Sequence, residues 1–334
     1  MRKVYAFKNT FEQLMKSSSG GAYIALCEAF EKTFGKENVV FYGAMYDKNL
    51  NVIHGRKYSS KECSVFQGSK YVRSDISKVF NFLEEDISQG KYILFSGTPC
   101  QIFAIKKYIE SKNIVLDNLY CIDIICHGTP SEKIWNSYKK WIEKNENSEL
   151  INYSFRYKPE GWKAYPAFAE FKDGKKKINT ADLSIYSKLQ MIGLSTNKGC
   201  FSCPYSNMNR VGDITIGDYW GIEKIMPNIK SKHGVSLLIV NTEKGNNIVD
   251  KFDEDKYFFK ETNTDEYIKY QHNLKEKTEE PQNYNEFWKD YEEFGFEFIL
   301  KKYLDYGKKY IIIHNIKKVV RKSPIINIYR NLKK

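Results

Sequence analysis

Apolar residues recur at helical spacing through AYIALCEAFEKTF at 22–34, and the pattern then switches to alternation. NVVFYGAMYD and NVIHGRKY read as two strands around a turn at Asp47 to Asn51, and a helix is expected near Ile76 to Gln89. Two strand-turn-helix units follow, KYILFSGTPCQIFAIKKYIE and LYCIDIICHGTPSEKIWNSYKKWIEK. Their apolar strands and amphipathic helices predict parallel pairing through crossover connections. Beyond Ile151, SFRYKPEGWKAYPAFAEF and DITIGDYWG read as β-rich, and VSLLIVNT as a further strand. From about Glu243 the pattern turns largely helical, with Pro281 as a break. The expected fold is α/β: a central mostly parallel sheet with flanking helices, a β-rich cysteine-bearing segment and a helical C-terminal extension. Shifts in pattern divide the chain at 1–85, 86–245 and 246–334.

Composition fits a globular protein. With 334 residues, 42% of them hydrophobic, and 25 Tyr and 21 Phe, the chain carries too much aromatic surface for disorder. No run approaches the length of a membrane span, and MRKVYAFKNTFEQLMK lacks the apolar core of a signal peptide, so a cytoplasmic setting is expected. Seven cysteines in a reducing compartment are thiols, free to act as ligands.

The net charge of +12 is local rather than general. Residues 301–334 hold eleven Lys or Arg against one acid, Asp305, which gives +10 for that segment alone. Basic clusters alternate there with Ile and Val, a pattern suited to an anionic membrane surface or an acidic partner, and equally to a solvated tail with a short apolar anchor. Nucleic-acid binding is not expected, because the charge sits in one terminal segment without a stacking module.

Each strand-turn-helix unit ends its strand with a cysteine, Cys100 in FSGTPCQ and Cys126 in IICHGTP. Open α/β sheets bind ligands beyond the carboxyl ends of their strands, so both thiols are expected at one edge. Cys200 and Cys203, in CFSCP, have ligand spacing with no second pair at zinc-finger distance, and they complete a set of four. Four thiols allow zinc, an iron-sulfur cluster or no metal at all, and spacing alone leaves the three open. Lone cysteines at strand ends and a C-x2-C-P fragment suit a cluster. Cys27, Cys63 and Cys121 read as packing residues.

Upstream, KSSSGGAY and GSKYVRS both read as phosphate cradles. The first sets Ser17, Ser18, Ser19, Gly20 and Gly21 before a helix. The second offers Gly68, Ser69, Lys70, Tyr71 and Ser74, with Lys70 for charge and Tyr71 as a stacking surface. An ordinary capped turn explains each one separately; beside a redox-type cysteine set, together they suit a dinucleotide such as FAD. Arg156, Lys158 and Trp162 in FRYKPEGW are candidates for an anionic group, while Arg210, Asp213 and Asp218 read as an ion-pair and turn framework.

Taken in order, KSSSGGAY, GSKYVRS, LFSGTPCQIFAIK, IDIICHGTPS, FRYKPEGW, CFSCPYSNMNRVGDITIGDYWG and GVSLLIVNT resemble the coenzyme F-420 hydrogenase/dehydrogenase beta-subunit family over about residues 5–245. The resemblance implies a flavoprotein with FAD and a 4Fe-4S cluster that relays electrons between one-electron carriers and a two-electron substrate. By position, Cys100, Cys126, Cys200 and Cys203 match the cluster ligands. The Ser17–Gly21 and Gly68–Ser74 segments match the flavin region, and Thr98 and Gln101 beside Cys100 join that cofactor set.

Longer members begin with a ferredoxin-like domain that is not found here, so a ferredoxin-like or other electron-donor protein is an expected partner. The substrate implied is a small molecule or glycan precursor, since short members accompany surface-polysaccharide genes. His127, next to Cys126, is the candidate proton donor, with a structural role at the turn as the competing explanation. The rival reading is a non-catalytic zinc-stabilised scaffold that recruits glycan-biosynthesis enzymes to the membrane surface.

Overall fold

The computed structural model describes residues 2–164, 166–262 and 265–322, apart from the side chains of 160, 164 and 320–322. In chain order the N-terminal elements are β1 (Lys3–Lys8), α1 (Phe11–Lys16), α2 (Ala22–Phe34), β2 (Val39–Tyr46), β3 (Val52–Lys57) and α3 (Val79–Ser88). The next are β4 (Tyr92–Gly97), α4 (Pro99–Ser111), β5 (Leu119–Ile124), α5 (Glu132–Glu146), β6 (Leu150–Ser154), β7 (Phe168–Phe171), β8 (Lys176–Ile178) and α6 (Leu183–Met191). The chain continues through β9 (Ile214–Asp218), α7 (Ile222–Ile225), β10 (Ser236–Val240), α8 (Glu243–Val249) and β11 (Phe258–Glu261). It then forms α9 (Tyr284–Phe294), α10 (Phe296–Leu304) and α11 (Lys308–Lys322). None of the described helices is long and apolar enough to cross a membrane.

The chain folds as two compact units. The first comprises residues 1–129, 156–165 and 197–279, and the second 130–155, 166–196 and 280–334. An eight-stranded sheet in the order β11-β1-β10-β9-β5-β4-β2-β3 organises the first unit. Its centre, β9-β5-β4-β2, is parallel, and antiparallel strands extend it on both sides. The α/β class holds, with both apolar faces of the sheet covered. Leu26, Phe30, Phe41 and Ile122 lie in one core, and Tyr42, Phe95, Ile102 and Cys121 in another. Parallel neighbours bring the carboxyl ends of β4 and β5 to one edge, where Gly97 pairs with Asp123.

The second unit is built on the antiparallel sheet β6-β7-β8. Trp135 is fully buried among Tyr138, Tyr153, Phe155 and Tyr186, with ring centroids 5.0–5.8 Å apart. Lys177 bridges Glu146 and Asp182 beside this aromatic core. Of the basic tail, α11 belongs to this unit, while PIINIY at 324–329 lies outside the described residues.

Between Cys203 and β9 the first unit has little regular structure, and a buried ion pair fixes this segment on the sheet. Arg210 Nη2 donates to Asp123 Oδ1 of β5 at 2.8 Å, with the two side chains 1% and 0% exposed. Its other donors reach the carbonyls of Tyr205 at 3.0 Å and Ile124 at 3.2 Å. Asp123 Oδ2 accepts the Gly212 N–H at 2.9 Å. A buried charge pair persists when its remaining donors and acceptors are satisfied in this way. A Cβ on Gly212 would lie 2.7 Å from Asp123 N and 3.1 Å from Cys121 O, so glycine is what lets the loop approach β5.

Asp123→Ala, which leaves the Arg210 charge buried and unpaired, is expected to cost about 3–5 kcal/mol of stability in urea unfolding. The Asp123→Leu/Arg210→Met pair should recover part of that loss. Equal stability of Asp123→Ala and the parent would show that the ion pair does not hold the loop.

Candidate functional site

The Thr98–Cys100 turn at the end of β4 starts α4, and the cysteine lies in its first turn. Thr98 is the N-cap, its backbone N–H meets Gln101 Oε1 at 3.1 Å, and Pro99 opens the helix. This capping box uses residues that also touch the chemistry, since the Thr98 hydroxyl lies 3.1 Å from Cys100 Sγ. Cys100 is exposed.

Cys126 follows β5 and is partly buried. The turn bearing Cys200 and Cys203 is pinned beside it: Asn197 N and Asn197 Nδ2 both donate to Thr129 O, at 3.0 and 2.8 Å. The Thr129 hydroxyl lies 3.8 Å from Cys200 Sγ. From Cys203 the chain runs along α4, with the Tyr205 ring 5.4 Å from Phe103 and Lys106 Nζ 2.7 Å from Val211 O. Cys203 is thereby carried back to the amino end of the helix that bears Cys100.

Cys126 lies close enough to Cys200, Cys100 and Cys203 to feel their charge. Burial pushes the Cys126 thiol up to about 12; the Gly128 N–H favours its thiolate, and the field of Cys200, Cys100 and Cys203 opposes it. Tyr205 is also raised, by burial and then by Cys100 and Cys203. Among the described residues no group of three or more His, Cys, Asp or Glu side chains is placed to hold a metal ion. A tetrahedral zinc with bonds of about 2.3 Å would draw its thiolates to within about 4 Å of one another. A four-iron cluster held by four cysteines attaches each thiolate to a different iron, so its ligands stand farther apart. An all-sulfur donor set with like-charge repulsion suits such a group, whose irons would neutralise the thiolates.

The two upstream loops meet each other. Ser69 N donates to Ser18 Oγ at 2.7 Å, and Gln67 Nε2 to Ser17 Oγ at 3.0 Å. Ser19 Oγ donates to Val235 O, and Gly20 N to Ser236 Oγ at 2.8 Å. Gly20 packs against the sheet so closely that a Cβ would lie 2.2 Å from Phe7 O. Gly21 is the N-cap of α2, whose first turn has no side-chain cap. That open helix start, beside the serine hydroxyls, fits a phosphate group.

The lysines nearby serve the loops first. Lys70 Nζ lies within 3.3 Å of the carbonyls of Val65, Phe66, Gln67 and Gly68, closing the end of a short 3-10 helix, and burial pulls its pKa down to about 7. Lys158 Nζ donates to Leu14 O at 2.9 Å and to Ser19 O, again with burial lowering its pKa to about 7. Both ammonium groups turn loop carbonyls inward.

Two contacts join the second loop to the cysteine edge. Gln101 Nε2 donates to Ser74 Oγ at 2.8 Å and to Ser74 O at 3.1 Å. Tyr71 is raised by burial and interacts with Arg156 and Asp218. Asp218, at the end of β9, accepts from Arg156 Nη1 at 2.6 Å and from Trp162 Nε1 at 2.8 Å, and Trp162 stacks on Trp220 at 4.9 Å. His127 feels Asp218 and His272 and bonds the Asn273 side chain, and burial holds its pKa below the usual value.

Several participants were not legible in the sequence. Asp123 is the partner of Arg210, whereas Asp213 instead accepts Cys121 N at 2.8 Å and the Thr242 hydroxyl. His54 is buried against Phe95, its rings 5.1 Å apart, with Nε2 2.9 Å from Ser96 O; burial drives its pKa down to about 4. Cys27 and Cys63 both pack in the core, and their side chains touch.

Known proteins resemble this chain in fold more than in sequence. A search of curated proteins found no match. A chain of the F420-reducing [NiFe] hydrogenase complex from Methanosarcina barkeri shares the fold, with a TM-score of 0.52 and 18% identity. The match covers 77% of this chain and 81% of that one. The family model for the C terminus of the coenzyme F420 hydrogenase/dehydrogenase beta subunit matches residues 90–266, a span that holds all four converging cysteines, and the chain belongs to that family.

Proposed function

We propose that this protein is an iron-sulfur flavoprotein oxidoreductase that passes electrons between a one-electron donor protein and a two-electron substrate. The observation that carries the reading is the gathering of Cys100, Cys126, Cys200 and Cys203, with Cys126 in the field of the other three. When bound, a 4Fe-4S cluster supplies single-electron transfer, and FAD supplies the change between one and two electrons. The chain's own residues position both groups. The Thr98 hydroxyl lies 3.1 Å from Cys100 Sγ, and the Gly128 N–H favours the thiolate of Cys126 against the burial that raises it. Exposed Cys100 is the point where a ferredoxin-like donor would approach.

For FAD, Ser17 to Gly21, the amino end of α2 and Gly68 to Ser74 form the pyrophosphate region, with Thr98 and Gln101 linking it to the cluster edge. His127, next to Cys126, would be the proton donor beside the cysteine edge, and burial disfavours its charged form. The substrate we favour is a small molecule or glycan precursor of surface-polysaccharide synthesis, handled in the cytoplasm.

Cys100→Ala, Cys126→Ala, Cys200→Ala and Cys203→Ala, each purified without oxygen, should lose most of the iron and the brown visible absorption. Cys27→Ala and Cys63→Ala should keep both. Full iron in all four site variants, or a colourless parent carrying zinc, would sink this reading and leave the zinc-stabilised scaffold.

A charge placed in the phosphate region tests the flavin separately. Ser18→Asp should weaken FAD retention at least tenfold while thermal stability holds. Unchanged occupancy would remove the serine turn from the flavin site.

A further inference from the structure

α11 is attached to the second unit by one stripe of side chains. Tyr310 is buried and its hydroxyl lies 2.8 Å from Ser184 Oγ, His314 Nε2 lies 3.1 Å from Asn179 O, and Lys318 Nζ donates to Ile178 O at 2.9 Å. Lys188 Nζ sits 3.7 Å over the Tyr310 ring. Residues 310, 314 and 318 repeat every fourth position and therefore share one face of the helix.

Turning by about 100° per residue puts Ile312, Ile316 and Val319 on the opposite face. Those three are 57%, 56% and 69% exposed. Ile313, beside them, is exposed as well. An outward helical face normally carries the polar residues, so this arrangement is inverted.

The charges complete the pattern. Lys308 and Lys309, both exposed, flank the apolar stripe at the first turn. Positive groups there oppose the helix dipole, so they do not serve the stability of the helix itself. Asp305 is the sole acid between 301 and 322. An uncompensated basic rim around an outward apolar stripe matches a surface that is both anionic and greasy.

We propose that α11 lies on an anionic lipid bilayer, inserting Ile312, Ile316 and Val319 into the headgroup boundary while Lys308 and Lys309 meet lipid phosphates. Charge complementarity favours lipid over a second copy of this chain, whose α11 would bring the same positive charge to the contact. Binding of this kind combines apolar insertion with electrostatic attraction and requires no membrane-spanning segment.

The full-length protein should co-sediment with vesicles of phosphatidylcholine containing about a third phosphatidylglycerol, and pure phosphatidylcholine should hold at least tenfold less. Ile312→Ser/Ile316→Ser/Val319→Ser, at exposed positions, should keep the parent's melting temperature and lose at least tenfold in partitioning. Lys308→Glu/Lys309→Glu should lose a similar factor and abolish the salt dependence. Equal partitioning of the triple variant and the parent overturns the proposal, as does equal binding to neutral vesicles. A dimer that the triple variant dissolves, in a protein that ignores vesicles, overturns it in favour of self-association.

Discussion

The buried Arg210–Asp123 ion pair is the contact on which the cysteine site depends. β4 and β5 deliver Cys100 and Cys126 to one edge by parallel pairing, but nothing in regular secondary structure brings Cys200 and Cys203 there. The loop that follows them must be fastened along α4 and then admitted as β9. Arg210 does this by binding the Asp123 carboxylate together with the Tyr205 and Ile124 carbonyls. Gly212 permits the close approach, and Asp123 takes its N–H. A neutral hydrogen bond would be a weaker fastening; a buried, fully satisfied charge pair leaves the loop a single register.

The same logic of internal cations recurs at the upstream loops. Lys70 and Lys158 draw in carbonyl groups from the two segments that resemble a flavin region, so the turns are held by their oxygen atoms. The amino end of α2 has no side-chain cap. Ser74 with Gln101, and Tyr71 with Arg156 and Asp218, connect these loops to the cysteine edge. The loops proposed for the flavin and the cysteines proposed for the cluster are thus connected in a chain of the coenzyme F420 hydrogenase/dehydrogenase beta-subunit family.

Local pattern made much of this legible. The helix at 22–34 and the β2–β3 hairpin carry strong periodicity, and the two strand-turn-helix units predicted where Cys100 and Cys126 would lie. What the sequence concealed depends on distant partners. KVYAFK becomes β1 because β10 and β11 pair with it on either side, and FFKE becomes β11 within a region read as largely helical for the same reason. Arg210 lies 87 residues from Asp123, a separation over which no spacing rule operates, and two nearer acids, Asp213 and Asp218, were the visible alternatives. The four carbonyls that surround the Lys70 ammonium come from the end of a short 3-10 helix, a contact invisible in a string of residues.

The proposed function requires that the four thiols hold a multi-iron group. X-ray absorption on the anaerobically purified, full-length protein tests it most directly. An iron edge with sulfur neighbours and a second shell of nearby iron is expected, in a ratio of about four irons per chain. A zinc edge with four sulfur neighbours, or mononuclear iron without an iron second shell, would contradict it.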